Sequence, residues 1–362
     1  MKTKILKIFI VLILISCFTG SLHGQNRGVA KVAVIQAVSM PHQDPFMGDY
    51  DPSMVYPQSQ AHFDKLLGLF DQAGGMGADL VCGPEDMQHI ASYGLHVDVT
   101  DPSTGEMLFK SLVEPVPGPL TDRIAEIAHL HRMYIIAPLF EREGDRVFNT
   151  AVIFDRDGRI MGKYRKTVLP VMETWGVDTG DEFKVFETDF ATIAVATCWE
   201  ITFPEIPTIL ALKGADIIFN PTMGGTGPEG LSTAHCYITR AMENSVYIAP
   251  VTLGTNGTGI IDFNGNVLAE AVGAVDTVIM AEIDFSKERI NESRWWAIIN
   301  GTANRKALHF LSRRPETYKF LLEPNPPILQ RYKDIHLTTG DREKQLKAVR
   351  KVDYGPKENK TP

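Results

Sequence analysis

One supersecondary pattern occurs twice in this chain, and it leaves few folds open. A helix-like run, a strand-like run and a strand–turn–strand hairpin follow one another at residues 120–132, 134–139 and 149–164. They do so again at residues 231–243, 246–251 and 259–270. The hairpins turn at Arg156-Asp157-Gly158 and at Asn264-Gly265, and Asp-Gly or Asn-Gly between strands is a strong tight-turn signal. Other strand-like runs at residues 31–37 (KVAVIQA), 80–82, 192–196 and 217–219 alternate with helix-like runs at residues 60–73 and 204–213. Alternation of this kind predicts a layered α/β domain, here two similar halves of one sandwich.

The ends read differently. Lys2, Lys4 and Lys7 precede the apolar run from Ile8 to Ile15, too short to span a bilayer as a mature helix. Residues 1–24 therefore read as a secretory signal peptide, with a soluble chain starting near Gln25 in the periplasm or medium. Leu14-Ile15-Ser16-Cys17 also resembles a bacterial lipobox, which would make Cys17 a lipidated amino terminus. The short, apolar stretch after Cys17 favours simple secretion. Residues 25–304 are expected to form the folded domain. Residues 305–362, rich in charge and proline, are expected to pack on that domain or on a partner subunit.

A formal charge of −8, with no basic run after the leader, argues against nucleic acid and anionic membrane surfaces as partners. The 4 cysteines form no paired metal or disulfide spacing. Cys82, inside an apolar strand, and Cys236, on a helix, read as small packing residues.

Three separated segments carry chemistry: Gly83-Pro84-Glu85-Asp86, Tyr164-Arg165-Lys166 and Thr197-Cys198-Trp199-Glu200. Each ends or closely follows a strand-like run, where open α/β sheets place their ligands. Taken singly, Cys198 reads as a buried thiol, Glu85 as a solvated loop carboxylate and Lys166 as part of a basic strand end. Strand alternation nevertheless allows Tyr164 and Lys166 to share the inner face while Lys163 and Arg165 face out. Together a carboxylate, an ammonium and a thiol can run acyl transfer without histidine: one moves protons, one stabilises an oxyanion and one attacks. The backbone amide of Trp199 is a second candidate oxyanion donor. His129 and His131, two apart on a helix, diverge and make no metal pair. No zinc-protease, Gly-x-Ser-x-Gly or phosphate-loop motif occurs. The stretches 42–57 and 87–107 read as long pocket-shaping loops.

The order Glu, Lys, Cys with these flanks resembles the nitrilase, or carbon–nitrogen hydrolase, superfamily over about residues 31–284. The carriers are KVAVIQA, Pro84-Glu85, Tyr164-Arg165-Lys166 with Leu169-Pro170, and CWEITFPEIPTILALKGADIIFNPT from Cys198 to Thr222. The resemblance implies an αββα sandwich of two mixed sheets flanked by helices, assembled as a homodimer or larger homo-oligomer, with no metal or organic cofactor. It implies Cys198 as nucleophile, Glu85 as general base, Lys166 as oxyanion-stabilising cation, and a second glutamate, Glu173 rather than Glu182, that positions them. Trp199 would contact substrate. Val168 stands where many amide-hydrolysing members carry histidine. Cys198-Trp199-Glu200 looks like the nitrilases, and Phe203-Pro204-Glu205 like the amidases and carbamoylases. The expectation is hydrolysis of a small linear amide or N-carbamoyl compound. The alternatives are a nitrilase using the same residues and an inactive binding protein on the same scaffold. Export argues against a cytosolic role in pyrimidine or glutamine metabolism.

Overall fold

The structure, a computed structural model, describes residues 27–39, 51–90, 100–101, 103–171, 173–224, 235–254, 256–273, 275–290 and 303–332. The expected leader with Cys17, residues 42–50 and 91–99 of the two loops, and residues 231–234 lie outside them. Twelve strands form two six-stranded mixed sheets. The first half runs β1 (Val29–Gln36), α1 (Val55–Gly75), β2 (Leu80–Cys82), α2 (Pro119–His131), β3 (Tyr134–Glu143), β4 (Arg146–Phe154) and β5 (Ile160–Arg165). The second repeats it as β7 (Thr192–Val195), α3 (Glu205–Leu212), β8 (Ile217–Thr222), α4 (His235–Asn244), β9 (Tyr247–Thr252), β10 (Gly259–Ile261) and β11 (Val267–Glu270). In each half three parallel strands are followed by an antiparallel hairpin. Strand β6 (Val185–Glu187) adds antiparallel to β7, and β12 (Thr277–Asp284) closes the first sheet antiparallel to β1.

Period-two burial explains the four layers. Val32, Val34, Leu80, Cys82 and Ile136 point between the sheets, where they meet Ile193, Val195, Ile217 and Phe219. Their neighbours Ala33, Ile35, Val81 and Ile135 point the other way, onto Phe63, Leu66 and Phe70 of α1 and Leu120 and Ile124 of α2. On the far side Ala194, Ile218 and Ile248 pack under Ile206 and Leu210 of α3 and Ala241 of α4. Each fully buried Ile, Leu or Phe contributes about 1.5–3 kcal/mol. Strands buried on both faces need apolar residues at every position, and Leu80-Val81-Cys82 and Ile217-Ile218-Phe219 supply them.

Several boundaries differ from the sequence expectation. Helix α1 begins at Val55, inside the stretch expected to be loop, because Pro57 falls in its first turn, where no intrahelical N–H is needed. Strand β3 runs on to Glu143, since its extension pairs with the whole of β4. In the expected 87–107 loop, Met87 to Ile90 are buried, and Leu108–Ser111 just beyond it forms one helical turn.

Beyond β12 the chain lies against its own second sheet. Helix α5 (Arg305–Leu311) is capped by Asn304, whose side chain accepts the Ala307 N–H at 2.9 Å. The Lys306 ammonium reaches the Ala215 carbonyl at 3.4 Å and Asp216 at 3.8 Å, and Phe310 packs on the outer helix layer. From Leu311 outwards the side chains lose cover: Phe320, Leu321 and Leu322 are 65%, 66% and 85% exposed. No described helix is long and apolar enough to cross a membrane.

Candidate active site

The parallel strands of both sheets and the returning strand β5 bring their carboxyl ends to one edge of the sandwich. Glu85 follows β2, Lys166 follows β5, Cys198 follows β7 and Thr222 ends β8. Glu85 and Lys166 are almost completely buried, and Cys198 is partly buried.

The Lys166 ammonium donates to Glu85 Oε1 at 3.0 Å and to Glu173 Oε2 at 2.6 Å. Burial works against its charge, yet Glu85, Glu173 and Cys198 together hold its pKa above the ordinary lysine value. Lys166 is therefore a permanent cation. Its neighbours behave as strand alternation requires: Tyr164 is buried, while Lys163 and Arg165 turn to the other face and pair with Glu141. Glu173 opens the turn Glu173–Trp175, and its pKa is raised by burial and by Glu85, against the pull of Lys166. Glu182 is exposed, 3.6 Å from Lys184, and takes no part in this cluster.

Cys198 begins a short helical turn, Cys198–Thr202, with a left-handed backbone at φ +50°. That conformation costs a non-glycine residue about 1–3 kcal/mol. Asn220 holds it in place: the Asn220 amide donates to the carbonyls of Ala196 and, at 3.2 Å, of Cys198, and accepts from the Tyr237 hydroxyl at 3.0 Å. The Thr222 hydroxyl donates to the Cys198 Sγ at 3.3 Å. Burial and then the Glu85 carboxylate push the thiol pKa up to about 12, with Lys166 opposing. A thiol held that high is neutral at rest, and the Glu85 carboxylate borders it. The other oxygen of Glu85, Oε2, accepts the Met223 N–H at 3.0 Å. Cys82 lies in the core between the sheets, where burial raises its pKa far above the usual thiol value. Cys236 is partly buried on α4, 3.5 Å from the Ile201 carbonyl.

Besides Asn220 and Thr222, two more polar residues at the site were missed by reading motifs. Asn149 of β4 donates to Glu85 and Glu173, at 2.8 and 2.7 Å. Glu200 is fully buried. One of its oxygens accepts from Tyr164 Oη, Thr167 N and Thr167 Oγ1, each at 2.7 Å, and from Val168 N at 3.3 Å. The other accepts Thr197 N at 2.7 Å. One carboxylate thus ties the segment carrying Lys166 to the turn carrying Cys198. Burial raises its pKa against those donors. In the sequence Glu200 is simply the residue two past a cysteine; the trace it left was Thr197-x-x-Glu200, a capping box.

The family model for carbon-nitrogen hydrolases matches residues 31–290, a span holding every residue of this cluster. The chain belongs to the carbon–nitrogen hydrolase family. It is 29% identical over 283 residues to a citrullinase of Francisella tularensis, covering 70% of this chain and 90% of that one. It is 31% identical over 267 residues to a bifunctional nitrilase/nitrile hydratase of Lupinus angustifolius, covering 65% and 76%. An omega-amidase of Xenopus tropicalis is 28% identical over 255 residues, covering 64% and 86%. The fold matches that of an amidase from Nesterenkonia sp. AN1, with a TM-score of 0.56 at 18% identity over 80% of this chain and 98% of that one. This carbon–nitrogen hydrolase thus has the αββα sandwich expected of it.

Proposed function

We propose that this hydrolase acts on a small linear amide or N-carbamoyl compound through an acyl-enzyme on Cys198. The observation that carries the reading is a single carboxylate, Glu85, bordering both the high-pKa thiol and the Lys166 ammonium. Glu85 takes the thiol proton as Sγ bonds to the carbonyl carbon, and the carbonyl electron pair moves to oxygen. Lys166 balances that oxyanion, helped by the Trp199 N–H, one of the first amides of a helical turn and so without an intrahelical acceptor. Glu85 then returns its proton to the nitrogen as the C–N bond breaks, and ammonia or an amine leaves. Water, deprotonated by Glu85, attacks the thioester and expels the thiol, giving the acid. Glu173 holds Lys166 in place. The Trp199 ring, half-exposed beside Phe203 with centroids 5.9 Å apart, is placed to contact the acyl chain.

The second reading is a nitrilase, favoured by Cys198-Trp199-Glu200 and the lupin relative. The same residues would add the thiol to a C≡N group, giving a thioimidate. Matched amide, N-carbamoyl and nitrile compounds sharing one acyl chain separate the two by ammonia release. The amide or N-carbamoyl member should show the higher kcat/KM; a consistent preference for the nitrile would install the second reading.

Export and self-association belong to the same proposal. The lysine-flanked apolar leader supports export, and a second copy of this chain is the partner that would cover Leu311, Phe320, Leu321 and Leu322. These apolar side chains lie at the carboxyl end of α5 and on a hydrogen-bonded turn just beyond it. Native mass spectrometry of the exported protein should read a subunit beginning at Gln25 and a mass of at least two subunits. Leu321→Asp with Leu322→Asp should release monomers. A subunit lipidated at Cys17, or an assembly unchanged by the two aspartates, would overturn the corresponding part.

A further inference from the structure

We propose that Asn149 is a positioning residue for the reaction: its side-chain amide fixes the rotation of the Glu85 carboxylate, so that Oε2 serves as the base towards Cys198. The inference rests on the reading of Glu85 as general base. Glu85 Oε1 already accepts two donors, Asn149 Nδ2 at 2.8 Å and Lys166 Nζ at 3.0 Å. Oε2 faces the β8 end, where it accepts Met223 N at 3.0 Å, next to the Thr222 hydroxyl that touches the Cys198 sulfur. The two hydrogens of one nitrogen go to two carboxylates, since Asn149 Nδ2 also donates to Glu173 Oε1 at 2.7 Å. Glu85 and Glu173 are thereby bridged twice, once by a cation and once by a neutral amide.

The neutral bridge does what a second cation could not. One ammonium can balance only one of the two carboxylates it touches, which leaves the other as a proton acceptor. Another lysine or arginine would neutralise it. An amide donates to both carboxylates without adding charge, and favours their ionised forms. The fold already uses the Asn149 backbone: its carbonyl accepts Lys166 N at 2.9 Å, and its Cα registers against Phe140 of β3. Those bonds survive any side-chain replacement, which separates the side chain's part from the strand's. The titratable groups at the amide are Glu85 after β2 and Glu173 in its turn, with Lys166 after β5 on both; Cys198 after β7 lies beyond Glu85. Tyr237 of α4 is close enough to Cys198 and Glu85 to feel their charge.

The test is the pH profile of kcat/KM for Asn149→Asp and Asn149→Ala, using the best amide of the panel and reading ammonia. Alanine removes the two donors without adding charge and is the deciding variant; aspartate removes them, keeps the shape and adds a third carboxylate, so its limb should move further. We expect kcat to fall about a hundredfold with KM changed less than about threefold. The acid limb should move to higher pH, because carboxylates stripped of N–H donors hold their protons more tightly. An acid limb left at the wild-type position overturns the proposal, whether or not activity and thermal stability fall. Should both variants fail to fold, Asn149→Thr, β-branched and suited to a strand, keeps one donor. It should show a smaller shift in the same direction, and an unshifted limb there is equally fatal. Glu85→Gln is the control for the underlying reading: full activity in that variant removes Glu85 as base, whatever the Asn149 variants show.

Discussion

Replacing Cys198 with alanine should bring ammonia release down by about 10⁴–10⁶-fold, the scale of losing a covalent nucleophile. The chain contains two other described thiols, and neither can substitute. Cys82 is sealed between the sheets, and Cys236 sits on α4 against the Ile201 carbonyl. Cys82→Ala and Cys236→Ala should therefore keep most of the wild-type kcat, with Cys82→Ala losing some thermal stability because it empties part of the core. The comparison is made with all three variants at one amide concentration well above KM. Turnover surviving in the Cys198 variant alone would end the thiol mechanism.

Lys166→Met should lower kcat by about 10²–10³-fold, the loss expected on removing one preorganised oxyanion donor. KM should rise only modestly, because the lysine acts on charge that develops after binding. A second consequence is electrostatic. Without the ammonium, Glu85 and Glu173 face each other across Asn149, and like charges in a buried site cannot both ionise easily. The acid limb of the profile should then climb to higher pH. Lys163→Met, on the opposite face of β5 and paired with Glu141, should leave kcat unchanged. Steady-state kinetics of the two variants side by side distinguish a catalytic lysine from a merely basic strand end.

Much of this architecture was legible in the sequence because it is periodic. Residues such as Val32 and Ala33, or Ile217 and Ile218, alternate between two apolar environments, and the Asp-Gly and Asn-Gly turns mark the hairpins. The two halves correspond strand for strand, as the repeated order of elements predicts. Strands β6 and β12 were not anticipated: β6 has only three residues to carry a pattern, and each takes its place by pairing, with β7 and with β1. Glu85, Lys166 and Cys198 were recoverable because each follows a strand, and Glu173 only through the family resemblance, which implies a second glutamate shortly after the lysine. Asn149 and Glu200 were not, because their importance is a matter of what other segments bring to them. Asn149 receives Glu85 from 64 residues away, and Glu200 gathers donors from a strand end 36 residues earlier. A buried polar group is visible in a sequence only when its partners are local, as with Thr197 and Glu200.

Peptide mass spectrometry after rapid acid quench tests the central claim most directly, that the carbonyl of a small amide is passed to Cys198. Wild type and Glu85→Gln are mixed with the fastest amide of the panel and quenched over a range of times. The account predicts the acyl mass on the peptide containing Cys198 in the wild type, with a slower and smaller build-up in Glu85→Gln, which lacks the base of the acylation step, and with the peptides of Cys82 and Cys236 unmodified. Steady ammonia release by the wild type with the acyl mass on another residue, or undiminished release by a chain lacking Cys198, would contradict it.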